Sequence, residues 1–214
     1  MLEKKRAAPT ALRGNGRGLE AQAVHSGASI QDMAGIVSRS VWSLLIAIAL
    51  LYPCESSFSA EAGPLVISVP KGFEGPTRDD ENGGVTIAWI ERQPVPGGGT
   101  LLQVSAIDVG TSLDGITRAQ RVEGASHYLL EFVRGVGHSL ENFEFGEFEQ
   151  VSLAGLPAAR VHWTASNSGQ PAVGIIYCVL VGHFVVSLQT RDTGTEITPA
   201  MYSAMSAIEG VRVR

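Results

Sequence analysis

The chain is short of cysteine. Only Cys54 and Cys178 occur among its 214 residues. Cys54 falls in a segment expected to be removed, which leaves Cys178 alone in the remaining body. An intramolecular disulfide is thereby excluded, and a packed apolar core has to hold the fold by itself. Histidine is also sparse. His127, His138, His162 and His183 show neither i,i+4 spacing on a predicted helix nor a His-x-His pair, so no zinc site is supported. Gly97-Gly98-Gly99 lacks the Gly-Lys-Ser/Thr ending of a phosphate loop and sits between predicted strands. No Gly-x-Ser-x-Gly occurs, and no serine has a His and Asp that sequence could pair with it. No internal repeat is found.

The N-terminal region has no apolar run long enough for a permanent membrane span. Its longest, Val41 to Tyr52, covers 12 residues. As a helix that is roughly 18 Å, against a hydrocarbon core of ~30 Å. Met33 and Arg39 precede it, Pro53 ends it, and Ala60-Glu61-Ala62 supplies a small-x-small processing sequence. The segment from Met33 to about Ala62 therefore reads as a cleavable signal peptide. Ser57-Phe58-Ser59 is a second processing candidate. Residues 1–32 carry Lys4, Lys5, Arg6, Arg13 and Arg17 with no apolar period, so they are expected to be unstructured. The leading reading is a start-site error with translation from Met33, and the alternative is a genuine long n-region. Leu51-Tyr52-Pro53-Cys54 has the leucine of a lipoprotein signal. Tyr52 and Pro53 depart from the small residues that lipidation needs, so Cys54 is expected to leave with the signal.

The body from Gly63 to Arg214 holds 10 Lys+Arg against 16 Asp+Glu, a net charge of −6. It shows no basic stripe, which argues against nucleic acid or anionic lipid as a partner. Its patterning predicts strands at 65–69, 85–90, 100–107, 147–153, 158–164, 172–181, 184–189 and 211–213. Gly75-Pro76 and Asp79 to Gly84 read as a polar loop. A main helix is expected after an N-cap at Asp114, with Ile116, Ala119, Val122, Ser126, Leu129 and Val133 inward and Arg118, Arg121 and Glu131 outward. A last helix is capped by Thr198 with Pro199 at its first position, and faces Tyr202, Met205 and Ile208 inward. The expected fold class is α+β: a mostly antiparallel sheet of about six to seven strands flanked by two main helices, in one domain over 63–214.

Ile67-Ser-Val-Pro-Lys-Gly-Phe73, Gly155-Leu-Pro157 before a strand, and the closing segment Thr198 to Ile208 resemble PsbP-like domains, in particular bacterial exported or lipoprotein members of the DcrB type. The resemblance implies a sheet flanked by helices, and a binding or accessory role without catalysis or cofactor. It carries over no functional residue.

Three features remain as candidate sites. Cys178 lies in the apolar run Ile175 to Leu180 with no neighbour to lower its pKa, and reads as a core thiol. Glu141, Glu144, Glu147 and Glu149 interleave with Phe143, Phe145 and Phe148. That is the pattern of a half-buried strand with a charged outer face, or of a cation site or surface for a basic partner. Asp79-Asp80-Glu81 in its Gly-bounded loop is a second cation candidate, without the spacing of a calcium hand. No catalytic residue, metal ligand or cofactor is assigned. The leading expectation is an exported, non-enzymatic accessory protein, periplasmic or extracellular. It would bind a protein, cell-envelope component or small ligand through a sheet face or the groove beside the main helix, and meet the membrane only through its signal peptide or a lipid on Cys54. The alternatives are a hydrolase whose residues converge only in space and a cation- or ligand-binding module.

Overall fold

Period-two and period-3.6 patterns are realised together in a computed structural model that describes residues 59–81, 83–93 and 98–214. Residues 1–58, including Cys54 and most of the predicted signal peptide, lie outside the described residues. The strands are β1 (Ser59–Ala62), β2 (Leu65–Ser68), β3 (Phe73–Glu81), β4 (Gly84–Arg92) and β5 (Gly99–Asp108). Helix α1 (Arg118–Gly137) follows, then β6 (Glu141–Phe145), β7 (Glu149–Leu153), β8 (Leu156–Asn167), β9 (Gln170–Val181) and β10 (Phe184–Thr193). Helix α2 (Pro199–Glu209) and β11 (Arg212–Val213) close the chain. Neither helix is long and apolar enough to cross a membrane.

The main sheet runs β3-β4-β5-β10-β9-β8-β6, with β7 also paired to β8, and every pairing is antiparallel. This α+β sheet has eight strands, not the expected six to seven. The additional strands are β3 and β6. Both carry charges on exposed positions, and an edge strand tolerates these because only one of its sides is paired. The predicted polar loop at 75–84 is thus mostly strand β3. Its Pro76 sits at the sheet edge, where a missing N–H costs no ladder bond.

Alternation along β9 separates two cores. Ile175, Tyr177, Val179 and Val181 point to one face, where α2 and the small sheet β1-β2-β11 cover them with Met201, Ala204, Ile208, Leu65 and Ile67. Ile176, Cys178 and Leu180 point to the other, under Ala125, Leu129, Phe132 and Val133 of α1. The middle of the sheet is therefore covered on both sides, and β9 reads as continuous apolar sequence.

Two helix details differ from expectation. Helix α1 is capped by Thr117, not Asp114. The Thr117 Oγ1 accepts from Gln120 N, and the Gln120 side chain accepts from Thr117 N, a reciprocal capping box. Asp114 instead accepts a bond from the Ser112 hydroxyl at 3.1 Å. The inward stripe accordingly turns to Arg121, Ala125, Leu129, Phe132 and Val133, with Ala119 exposed. Arg121 is inside, not outside, because its guanidinium donates to the carbonyls of Leu180 (2.5 Å) and Leu113 (2.9 Å). Helix α2 has the predicted Thr198 cap and Pro199, but buries Met201, Ala204 and Ile208 and leaves Tyr202 58% exposed.

Strand β1 lies on the signal-peptide side of the predicted boundary. Ala60 pairs with Ile67 and Ala62 with Leu65; Ala62 is buried, and Glu61 meets Arg214 at 3.0 Å.

Candidate functional site

Polar side chains inside the sheet concentrate on two neighbouring strands. Thr100 and Gln103 on β5, and Ser187, Gln189, Thr190 and Asp192 on β10, are all buried. Register places Thr190 opposite Leu102 and Glu91 opposite Thr100. Asp192, Thr100 and Glu91 thus line one face near the start of α2. Asp192 accepts from Gln93 Nε2 (2.9 Å), Thr100 Oγ1 (3.2 Å), its neighbour Thr193 N (2.8 Å) and the Thr198 hydroxyl. Thr198 Oγ1 in turn accepts from Met201 N at the first turn of α2. The carboxylate therefore ties β4, β5 and β10 to the helix cap, near the positive end of the helix dipole.

Glu91 completes a pair of carboxylates. Burial first, and the Asp192 charge second, push its pKa above the usual carboxylate value. Its Oε2 is enclosed and has no hydrogen-bond partner among the described residues; the same holds for Thr190 Oγ1 and Trp89 Nε1 on this face.

The second polar concentration is at the outer corner beyond α1. Trp163 (β8) is buried, and the Phe143 ring packs on it at 5.6 Å between centroids. Phe145 lies 6.2 Å from Phe143 and stacks on Phe148 at 6.0 Å and 28°. Phe145 is 46% exposed. Glu141, Glu144, Glu147 and Glu149 alternate with these rings in sequence and are all exposed. Glu141 pairs with Ser166 and Glu144 with Thr164, so both face away from Phe145, which pairs with Trp163. Arg160 engages Glu149 at 2.8 Å and, with its hydrogen bond as the main cause, lowers the Glu149 pKa. Among the described residues no cation pairs with Glu141, Glu144 or Glu147. Glu141 and Phe145 belong to β6, while Glu149 begins β7 at the other end of β8, so this is not one half-buried strand.

The other candidates separate. Asp79 and Asp80 are on strand β3, whose alternation sends them to opposite faces, and Arg78 holds Asp80 at 2.7 and 2.9 Å. A loop wrapping a cation is therefore not formed there. Cys178 is fully buried, and burial raises its thiol pKa far above the usual value, the reverse of what a nucleophile needs. His127, His138, His162 and His183 are each exposed; His183 lies 3.5 Å from Asp108, and His162 is near Glu149. Among the described residues no three His, Cys, Asp or Glu side chains come together as a metal ion could use them. The Glu91–Asp192 pair was not foreseeable. Its members and partners come from positions up to 99 residues apart, and the one sequence sign was the polar interruption of β10.

No protein-family model matches this chain, and no curated protein matches it. Solved structures do resemble it. LpqN of Mycobacterium tuberculosis, described as involved in cell envelope biogenesis, is 16% identical, with 70% of this chain and 82% of LpqN covered and a TM-score of 0.44. A Bacteroides thetaiotaomicron protein is 12% identical over 73% of this chain and 47% of its own length, with a TM-score of 0.46. A Pseudomonas aeruginosa protein of unknown function is 11% identical over 73% of this chain and 96% of its own, with a TM-score of 0.42.

Proposed function

We propose that this is an exported, non-catalytic binding protein of the bacterial cell envelope, with a PsbP-like domain that engages a partner at the β6 corner. The leader read from Met33 supports export. The observation that carries the binding role is Phe145, a large aromatic ring 46% exposed at the end of a packed aromatic run. An isolated exposed apolar residue is ordinary, but one continuous with buried aromatics is a rigid, pre-formed contact surface. The test is capture from the native envelope by the wild type and by Phe145→Ser. Loss of a specific partner in the variant, with an unchanged melting temperature, is expected. Equal capture by both proteins would overturn the role of the corner.

A hydrolase reading stands second, and the Glu91–Asp192 pair is what favours it, since converging carboxylates can divide acid and base roles. Asp192 weakens that reading, because its oxygens are already engaged by Gln93, Thr100, Thr193 and Thr198. A Glu91→Gln variant that keeps full biological activity would remove it.

A further inference from the structure

We infer that export processing cuts the Ser59–Ala60 bond, so that the exported protein keeps Ala60-Glu61-Ala62 as a strand of its fold. The assignment rests on the export proposed above and names the bond at which the leader leaves. Two small-x-small sequences compete for the cut. Ala60-Glu61-Ala62 would place it before Gly63, and Ser57-Phe58-Ser59 would place it before Ala60. Ser57 and Phe58 lie outside the described residues and count by sequence alone.

Packing requires β1. Ala62 is fully buried in the core that Leu65, Ile67, Ala106 and Met201 share, and Ala60 packs against the same core. Side chains alternate along a strand, so both alanines face inward while Glu61 turns out to Arg214 at 3.0 Å. The strand also touches β4 and β5 of the main sheet. Its partner β2 depends on it. β1 pairs with β2 from Ser59 opposite Ser68 to Ala62 opposite Leu65, whereas β11 reaches only Val66 and Leu65. A cut before Gly63 would leave Ile67 and Ser68 without a strand partner and would uncover the core beside them.

The turn after β1 requires it too. Gly63 and Pro64 are the two residues between the paired Ala62 and Leu65. Gly63 has φ 58°, the sign that the first central position of a type II′ hairpin turn demands. A Cβ there would come within 2.7 Å of the Ala106 Cβ, so the close approach also calls for glycine. A hairpin turn has a purpose only where a strand precedes it. As the first residue of a chain, Gly63 would be a free end to which this geometry means nothing.

Accessibility favours the same bond. In the folded chain Ala62 is enclosed and the Ala62–Gly63 bond enters the tight turn, whereas Ser59 is exposed at the outer end of β1. Exposed chain ends are where proteases reach a backbone. The alanines at 60 and 62 thus have a structural reason to be where they are, which the serines at 57 and 59 do not share.

The experiment reads the N-terminus of the exported protein by mass spectrometry after expression of the full chain in a bacterial host. A chain beginning at Ala60 is expected. Ser59→Leu, which puts a bulky residue next to the cut, should abolish that species and accumulate the precursor. Chains made to begin at Ala60 and at Gly63 are then melted side by side, and the shorter one should melt at least about 5 °C lower. An exported wild type that begins at Gly63 would overturn the assignment and leave export standing. An exported chain that begins at an acylated Cys54 would do the same. Equal melting of the two chains would also overturn it, because β1 would then add nothing to the fold. An unprocessed chain retained in the cytoplasm would overturn both the assignment and the export on which it rests.

Discussion

Strands β9 and β10 lie side by side in register, from Phe184 opposite Val181 to Thr193 opposite Ala172, yet they are built from different chemistry. From Gly174 to Val181 every residue of β9 is buried, and the only polar atoms in its side chains are the Tyr177 hydroxyl and the Cys178 thiol. The Tyr177 hydroxyl donates to Glu209 at 3.2 Å, and burial pushes its pKa up to about 12. Strand β10 is as deeply buried, but it interrupts its apolar face with Ser187, Gln189, Thr190 and Asp192. A buried apolar side chain stabilises wherever it packs, whereas a buried polar group stabilises only if each of its atoms finds a partner. β9 is therefore governed by volume and β10 by pairing.

The largest effects should separate these two rules. A Cβ built on Gly174 falls inside the Trp163 indole, so Gly174→Val forces the ring out of its site. The expected loss is at or above the upper end of the ~1–3 kcal/mol typical of overpacking. On β10, Asp192→Ala removes the acceptor shared by Gln93, Thr100 and Thr198 and should cost about 3 kcal/mol. Asp192→Asn, which keeps shape and one acceptor, should cost visibly less. Urea denaturation measures all three. If Asp192→Asn is as damaging as Asp192→Ala, pairing is not what governs this position.

A smaller change should go the opposite way. Thr190 is fully buried, and its Oγ1 has no partner among the described residues. Thr190→Val replaces that hydroxyl with a methyl group of nearly the same size, and should stabilise the protein by about 1 kcal/mol. Thr100→Val, one strand away, should destabilise, because the Thr100 hydroxyl donates to Asp192. Equal signs for the two threonines in the same denaturation series would break the distinction.

The contrast also explains what could be read in advance. β9 was legible because an unbroken apolar run admits few alternatives, and α2 because Thr198-Pro199 is a strong start signal. β3 and β6 were obscured because edge strands expose both faces, so their side chains show no apolar alternation. β1 was obscured because Ala60-Glu61-Ala62 satisfies a processing rule and an edge-strand packing requirement with the same small residues. The inward turn of Arg121 depended on carbonyl acceptors at Leu180 and Leu113, which only the folded chain brings near. At the corner, the interleaving of Glu and Phe was visible as sequence. The exposure of Phe145 was not, since it depends on how the aromatic run packs in the folded chain.

The smallest and most specific effect concerns Glu91, where the polar rule of β10 reaches its neighbour across β5. Its folded-state pKa lies above the ordinary 4.5, first from burial and then from Asp192. For a carboxylate shifted in this direction the charged form is the disfavoured one. Its contribution to stability is therefore fully present below the ordinary value, and is lost as pH rises through the raised folded value. Glu149 and Asp80, lowered by Arg160 and Arg78, act with the opposite sign and are lost as pH falls, so the wild-type profile alone would mix them. Comparing Glu91→Gln with wild type isolates the one group. The variant should melt about 1–2 °C higher at pH 7, a small increment for a domain of this size. The difference should shrink toward zero near pH 4, where the wild-type side chain is itself neutral. A difference that stays constant across the titration would mean that no charge on Glu91 is felt by Asp192, and that the polar rule stops at β10.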